Sequence, residues 1–152
     1  LFSGLGTTLS AVVMNGAQGK LVHVGDSRIY LFRDGELRQL TRDHTLAAEL
    51  LERKHVSPEG ARRHPLRHVL SRSLGSQDVV EPDLGDLVLT RSDWLILATD
   101  GLTKALAPER LRHLLAAGTA ENAETVCREV MKAAISQNPD DNVTLAVARL
   151  AG

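Results

Sequence analysis

The sequence lacks a second cysteine, a long hydrophobic run and an excess of either charge. Cys127 is the single cysteine, which excludes an internal disulfide framework and is typical of a reducing compartment, so we expect a cytoplasmic protein. No apolar run approaches the roughly 20 residues of a membrane-spanning helix, and no signal peptide is recognisable. The net charge of −1 gives no reason to expect binding to nucleic acid or to a membrane surface.

What is present indicates one folded domain. The 152 residues are 43% hydrophobic and 24% charged, which suffices for a packed core and argues against disorder. The chain has no initiator Met and opens on the apolar stretch LFSGLGTTLS. Because a native start is usually more polar, we expect a fragment cut just ahead of a core strand.

Turn residues and hydrophobic periodicity predict an α+β protein. Asp34-Gly35 between two alternating segments is a strong hairpin signal. Thr45, Ser57 and Thr119 can cap helices, and Pro108 suits a first helical turn. We expect helices after these residues, and strands over residues 7–14, 20–24, 28–33, 36–40, 69–74, 86–89, 94–99 and 142–150. This order suggests helices packed on sheets.

Three aspartates lie at the ends of predicted core strands. Asp26 follows LVHVG, Asp100 follows WLILAT, and Asp141 precedes NVTLAV. If they meet at one sheet edge, their repulsion requires cations between them, and oxygen ligands suit Mg²⁺ or Mn²⁺. The alternative is that each is a turn residue bonding its local backbone, as Asp-Gly and Asp-Asn pairs often do. Spacing alone leaves both interpretations open.

Six motifs in a fixed order carry a family resemblance. They are GTTL, VGDSRIYL, LTRDHT, HVLSRSLG, LATDGLT and DDNVTLAV, running from about Gly4 to Leu150. The chain resembles the metal-dependent protein phosphatase (PPM) family, the type 2C serine/threonine protein phosphatases, and its compact bacterial members most. The resemblance implies an αββα sandwich of two antiparallel sheets flanked by helices.

The resemblance also implies roles for particular residues. Asp100 and Asp141 would ligate one ion of a central metal pair, and Asp26 with Asp100 a third, weaker ion. The cofactors would be two to three Mn²⁺ or Mg²⁺ ions, and a metal-activated water would hydrolyse phosphoserine or phosphothreonine in proteins, including serine/threonine kinases and their substrates. The expected supporting residues are Gly101 in the turn, Asn142 steadying its loop, and Ser27.

The basic segment 53–76 corresponds to the position of a flap beside the active site in this family. Its Arg62, Arg63, Arg67 and His68 could attract phosphopeptides by charge. A solvated surface loop is the alternative interpretation. Cys127 falls on the apolar stripe of a predicted helix and is interpreted as a packing residue, because no phosphatase-type cysteine loop surrounds it.

Part of the family pattern does not occur in the 152 residues. The Asp-Gly-x-Gly-Gly stretch, whose Asp bridges both central metals in the family, is not found. We therefore expect residues 1–152 to be the C-terminal part of a single catalytic domain. Such a fragment should be weakly active or inactive alone, and should dimerise or swap strands because sheet surface is exposed.

Two other functions stay open at this point. One is a phosphatase-like binding or regulatory module without hydrolysis, although keeping three costly carboxylates argues against it. The other is a relative of the anti-sigma-factor phosphatases, which share the DGL and DN elements; the VGDSR and LTRDHT motifs favour the general type 2C branch.

Overall fold

The computed structural model describes residues 5–76, 78–118 and 121–150. These ranges contain seven strands and five helices. In chain order they are β1 (Leu9–Asn15), β2 (Gln18–Val24), β3 (Arg28–Arg33), β4 (Glu36–Gln39), α1 (Leu46–Glu52), α2 (Pro58–Arg63), β5 (Asp83–Val88), β6 (Trp94–Ala98), α3 (Asp100–Ala105), α4 (Pro108–Ala117), α5 (Ala123–Ile135) and β7 (Leu145–Ala148).

The strands form two antiparallel sheets. Sheet 1 has the order β1-β2-β5, and sheet 2 has the order β4-β3-β6-β7. Strand β3 alternates as its sequence predicts: Ile29 and Leu31 join a core between the sheets, whereas Tyr30 and Phe32 join a core under the helices. This arrangement confirms the predicted α+β fold of two antiparallel sheets with helices, and the helices pack on the outer face of sheet 2.

Each core is made of residues that share a face. Between the sheets lie Leu21, Leu87 and Leu89 from sheet 1 and its following turn, against Ile29, Leu31 and Leu95 from sheet 2. The larger core joins sheet 2 to helices α3, α4 and α5; its buried members include Trp94, Ile96, Leu102, Leu115 and Val130. Sheet 2 is therefore covered on both faces.

The outward face of sheet 1 is different. Val13, Leu84 and Val88 lie on this face by their pairing register and are 73%, 76% and 60% exposed. These apolar side chains remain in contact with solvent, so sheet 1 is a half-covered sheet.

Several boundaries differ from the prediction. Residues 69–74 form only two isolated bridges, Thr45–Leu70 and Thr7–Leu74, instead of a strand. The final strand is shorter than predicted at both ends, because residues 142–144 and 149–150 lie outside β7. Thr119 lies outside the described residues, and Asn122 caps α5 by accepting the Thr125 N–H at 2.8 Å. Thr45 and Ser57 cap α1 and α2 as predicted.

Helix α3 was not predicted. Asp100 and Gly101 pointed to a turn, but they form the first helical positions directly after β6. Six residues are too few to reveal helical periodicity, and such a helix depends on packing for its stability. Among the described residues, no helix has both the length and the apolar character needed to cross a bilayer.

Candidate metal centre

Strand pairing brings the three aspartates to one end of sheet 2. Asp26 lies two residues before β3, and Asp100 lies two residues after β6; Arg28 pairs with Ala98 in the antiparallel register. Ala98 also pairs with Leu145 of β7, and Asp141 lies four residues before Leu145. Strand starts and ends meet at the same edge in antiparallel neighbours, so the register explains the convergence that spacing alone could not.

Asp100 and Asp141 share one cation of the chain. The Lys104 ammonium lies 2.6 Å from Asp100 Oδ2 and 2.8 Å from Asp141 Oδ2. Burial acts to lower the pKa of Lys104, but its hydrogen bonds to both carboxylates outweigh burial and raise it. The same hydrogen bond, together with the Asn142 N–H, lowers the pKa of Asp141.

Asp26 lies in a different electrostatic environment. Its carboxyl is half-buried, and burial is the first cause that raises its pKa. The neighbouring carboxylates of Asp100 and Asp43 raise it further, and Lys104 only partly offsets them. Negative charge at Asp26 is therefore incompletely neutralised by the protein.

The donor atoms around the three aspartates are carboxylate oxygens. Oxygen donors at the end of one sheet, with excess negative charge at Asp26, fit a hard cation such as Mn²⁺ or Mg²⁺. Within residues 5–76, 78–118 and 121–150, no three His, Cys, Asp or Glu side chains are grouped closely enough to hold one ion together. Asp100 and Asp141 are brought close together, because one oxygen of each lies within 2.8 Å of the same nitrogen.

Close backbone packing explains Gly101. A Cβ on this residue would lie 2.3 Å from the Asn142 carbonyl oxygen and 2.9 Å from its carbon. The start of α3 therefore rests directly on the 141–143 segment. Thr99 reinforces the junction, because its Oγ1 accepts the Thr144 N–H at 3.0 Å and its own N–H donates to the Thr144 carbonyl at 3.1 Å.

Asn142 and Ser27 contact the loops around the aspartates. The Asn142 N–H donates to Asp141 Oδ1 at 2.8 Å, which orients that carboxylate. Ser27 Oγ lies 2.9 Å from Thr8 Oγ1, and the Ser27 carbonyl accepts from Ser10 Oγ at 3.3 Å. Ser27 therefore ties the segment after Asp26 to strand β1.

A cleft of about 440 Å³ opens beside the aspartates. Asp26, Asp100 and Lys104 contribute to its lining, together with residues of α1, α2 and the loop after α2. Of the four predicted flap residues, Arg62, Arg67 and His68 line the cleft. Arg63 does not: it forms an exposed ion pair with Glu59.

The charges of Asp100, Lys104 and Asp141 act on the pKa of His68. Burial, Arg67 and Lys104 lower its pKa, in that order, against the opposing influence of Asp100 and Asp141. A lowered pKa favours the neutral imidazole near pH 7. Among the predicted flap residues that line the cleft, the positive charge therefore comes from Arg62 and Arg67.

Two cleft residues were not singled out from the sequence. Arg28 donates from Nε and Nη2 to both oxygens of Asp43, at 2.9 and 2.6 Å, and from Nη1 to the Tyr30 hydroxyl at 3.1 Å. Both residues line the cleft. Their positions inside the VGDSR and LTRDHT motifs were the available signal, but nothing local shows that the two motifs pair.

A buried histidine braces the backbone immediately before Asp26. His44 is 2% exposed; its Nδ1 accepts the Gly25 N–H at 3.1 Å, and its own N–H donates to the Gly25 carbonyl at 2.7 Å. His44 Nε2 lies 3.2 Å from Asp83 Oδ2. With Nδ1 acting as acceptor, the proton of a neutral ring is on Nε2, facing Asp83.

His23 and Cys127 have structural surroundings. His23 is fully buried, with Nδ1 2.8 Å from Ser10 Oγ and Nε2 3.0 Å from the Arg42 carbonyl. Burial and the nearby His44 lower the pKa of His23. Cys127 is half-buried on α5, and its Sγ lies 4.0 Å from the Leu145 carbonyl oxygen of β7.

Comparison with known proteins identifies relatives of this architecture. The family model for protein phosphatase 2C matches residues 3–143. Protein phosphatase PhpP of Streptococcus pneumoniae is 35% identical over 151 residues, covering 98% of this chain and 60% of PhpP. The chain therefore spans about 60% of the length of this curated relative.

Solved structures extend the likeness to three dimensions. The crystal structure of the Mycobacterium tuberculosis serine/threonine phosphatase PstP/Ppp superposes with a TM-score of 0.89 at 35% identity, covering 99% of this chain and 62% of that one. A structure of the PstP catalytic domain in complex with two manganese ions gives 0.82 at 34% identity, covering 99% and 61%.

Proposed function

Because the chain belongs to the protein phosphatase 2C family, we propose that it contributes the C-terminal part of a metal-dependent protein serine/threonine phosphatase. The substrates are phosphoserine and phosphothreonine side chains of proteins, including serine/threonine kinases and their targets. One observation carries the proposal: a single cleft is lined both by the carboxylates of Asp26 and Asp100 and by the guanidinium groups of Arg62 and Arg67.

The carboxylates would hold the cations. Asp100 and Asp141 would bind one ion, and Asp26 with Asp100 a second, with Mn²⁺ or Mg²⁺ as the occupant. When bound, such cations supply Lewis acidity that activates water and offsets charge on phosphoryl oxygens. Manganese in the related PstP domain supports this assignment.

The chain's own residues prepare the cleft for a phosphorylated peptide. Arg62 and Arg67 attract the phosphate dianion and can bind its oxygens in a bidentate manner. Arg28 is held by Asp43 and Tyr30, which keeps its guanidinium fixed in the cleft that Asp26 also lines. Asn142 orients Asp141, Gly101 lets α3 approach the 141–143 segment, and Ser27 anchors the loop after Asp26.

We expect weak turnover by this chain. The 152 residues contain no Asp-Gly-x-Gly-Gly stretch, so the bridging carboxylate that the family pattern places there is not supplied. Fewer carboxylates bind divalent cations less tightly. A phosphatase-like binding module is a second candidate, favoured by the Lys104 ammonium that already pairs with Asp100 and Asp141.

An assay on p-nitrophenyl phosphate and a phosphothreonine peptide separates these functions. With Mn²⁺ we expect slow turnover, at least about a hundredfold (roughly 3 kcal/mol of barrier) below that of an intact homologue. EDTA and the Asp100→Asn variant should abolish it. Turnover equal to an intact homologue would refute the expectation of weak activity. Peptide binding without any Mn²⁺-dependent turnover would support the binding module instead.

A further inference from the structure

We propose that Lys104 is a built-in counter-cation that competes with divalent cations for Asp100 and Asp141 and thereby sets the metal affinity of the centre. This inference rests on the proposed metal centre and adds a regulatory residue to it. It assigns to Lys104 a role that is neither ligand nor substrate contact.

The geometry places one ammonium between two carboxylates from different elements. Lys104 Nζ lies within 2.8 Å of one oxygen from each, and both pairs share that nitrogen. Asp100 and Lys104 are four residues apart on α3, which brings their side chains to one helix face. Asp141 reaches the same point from the segment before β7. The ammonium therefore neutralises the repulsion that these two carboxylates would otherwise have.

Competition follows from this contact. Asp100 Oδ2 and Asp141 Oδ2 both point at the position that Lys104 Nζ occupies. A divalent cation bound between these two oxygens would therefore have to displace the ammonium. A lysine that stayed nearby would repel the incoming charge. The Lys104 side chain is 37% exposed and has a flexible four-carbon stem. It can therefore move toward the cleft, so displacement weakens metal binding without blocking it.

The remaining charges of the cleft do not substitute for Lys104. Among the described residues, the ion pairs of Asp100 and Asp141 are both made with Lys104. Arg62, Arg67 and His68 line the cleft but form none of the ion pairs that the described residues make to these two carboxylates, and Arg28 is engaged by Asp43. Removing the charge of Lys104 thus leaves the two carboxylates available to an added cation.

The test compares Mn²⁺ binding to the 152-residue chain and its variants by the EPR signal of the free ion. Lys104→Met removes the charge and keeps the stem, and Lys104→Arg keeps the charge. Lys20→Met is the control, because Lys20 pairs with Asp86 on the exposed face of sheet 1. We expect Lys104→Met to bind Mn²⁺ about tenfold more tightly than wild type. The Arg variant and the Lys20 control should bind like wild type.

A second readout is the melting temperature, measured first without metal and then with Mn²⁺. In EDTA, Lys104→Met should melt at a lower temperature than wild type, because two carboxylates lose their shared cation. Mn²⁺ should then raise its melting temperature more than that of wild type. Lys104→Gln makes the same comparison if the Met variant does not fold.

The outcomes separate this inference from the proposed function. Mn²⁺ affinity of Lys104→Met equal to or below that of wild type overturns the role of Lys104 and leaves the metal centre intact. Absence of Mn²⁺ binding to every variant contradicts the metal centre itself, and with it this inference. A failure to hydrolyse phosphopeptides affects neither binding comparison.

Discussion

Asp93 is a fully buried carboxylate, and the groups around it explain why its charge is tolerated. Arg33 donates from Nε and Nη2 to its two oxygens at 2.8 and 2.6 Å, and the Thr90 N–H donates to Oδ2. Arg33 Nη2 also reaches the Val88 carbonyl of sheet 1 at 2.8 Å. One guanidinium therefore links the turn before β6 to the end of β5. Burial acts to raise the pKa of Asp93, but these hydrogen bonds outweigh it and lower the pKa.

The direction of this shift sets a pH dependence. A pKa lowered below the ordinary value of 3.8 means that the ionised form stabilises the fold at pH values above that ordinary value, including neutral pH. The stabilisation is lost as pH falls below the ordinary value and through the folded pKa. Asp93→Asn should cost about 2 kcal/mol of unfolding free energy at pH 7, and the difference from wild type should shrink toward pH 3, measured by urea denaturation.

A matched control is Asp86→Asn. Asp86 and Lys20 are both almost fully exposed, so their pair should contribute less than about 1 kcal/mol. If the Asp93 variant lost the same stability at pH 3 as at pH 7, its charge would not be the cause.

At the scale of elements, α3 shows how a short helix is held in place. Six residues do not form a stable helix on their own propensity. Leu102 is fully buried under sheet 2, and Gly101 lies against the Asn142 backbone. The helix therefore depends on the same contact that positions Asp100 beside the 141–143 segment.

Gly101→Ala should disturb this contact. Its Cβ would meet backbone atoms that cannot rotate away, so we expect a loss of about 1–3 kcal/mol in unfolding free energy. Mn²⁺ binding should weaken with it, because Asp100 is the preceding residue. Gly60→Ala in α2 is the control, since its Cβ would meet side-chain atoms and no backbone, namely Ser57 Oγ at 3.3 Å and Val56 Cβ at 3.6 Å. Equal stability of the two variants in guanidinium would contradict this account of Gly101.

At the scale of the whole molecule, the two sheets are covered unequally. Helices α3, α4 and α5 pack on sheet 2, whereas Val13, Leu84 and Val88 project from sheet 1 into solvent. Exposed apolar side chains that share one face favour association, and β1 and β5 are the edges of that sheet.

We therefore expect the isolated chain to self-associate through sheet 1. Light scattering on a size-exclusion column should give a mass above that of the 16.5 kDa monomer at high micromolar concentration. The double variant Val13→Lys, Leu84→Lys should shift the chain toward the monomer, because it places charge on the shared face. Ile135→Lys, at a 60% exposed position on α5, is the control and should leave the mass unchanged. A monomeric wild type at these concentrations would contradict the expectation.

Local signals predicted most of the elements. The alternation of β3, the Asp34-Gly35 turn, the caps Thr45 and Ser57, and Pro108 at the start of α4 depend on contacts within a few residues. The strand predicted over residues 69–74 was wrong, because strand formation also requires pairing with distant segments. Its VLSRSL composition resembles a strand, but only the bridges at Leu70 and Leu74 pair with other segments.

The sequence by itself determined the fold class, the family and the three aspartates at strand ends, because turn chemistry, periodicity and motif order are properties of neighbouring residues. Tertiary structure alone decided which groups meet: the β3–β6–β7 register gathers Asp26, Asp100 and Asp141, and Lys104 lies between two of them. The pairings of Arg28 with Asp43 and of His44 with Gly25 could not be predicted from the sequence either. Such contacts join residues far apart in the chain, so their geometry depends on how the sheets and helices pack rather than on local preference.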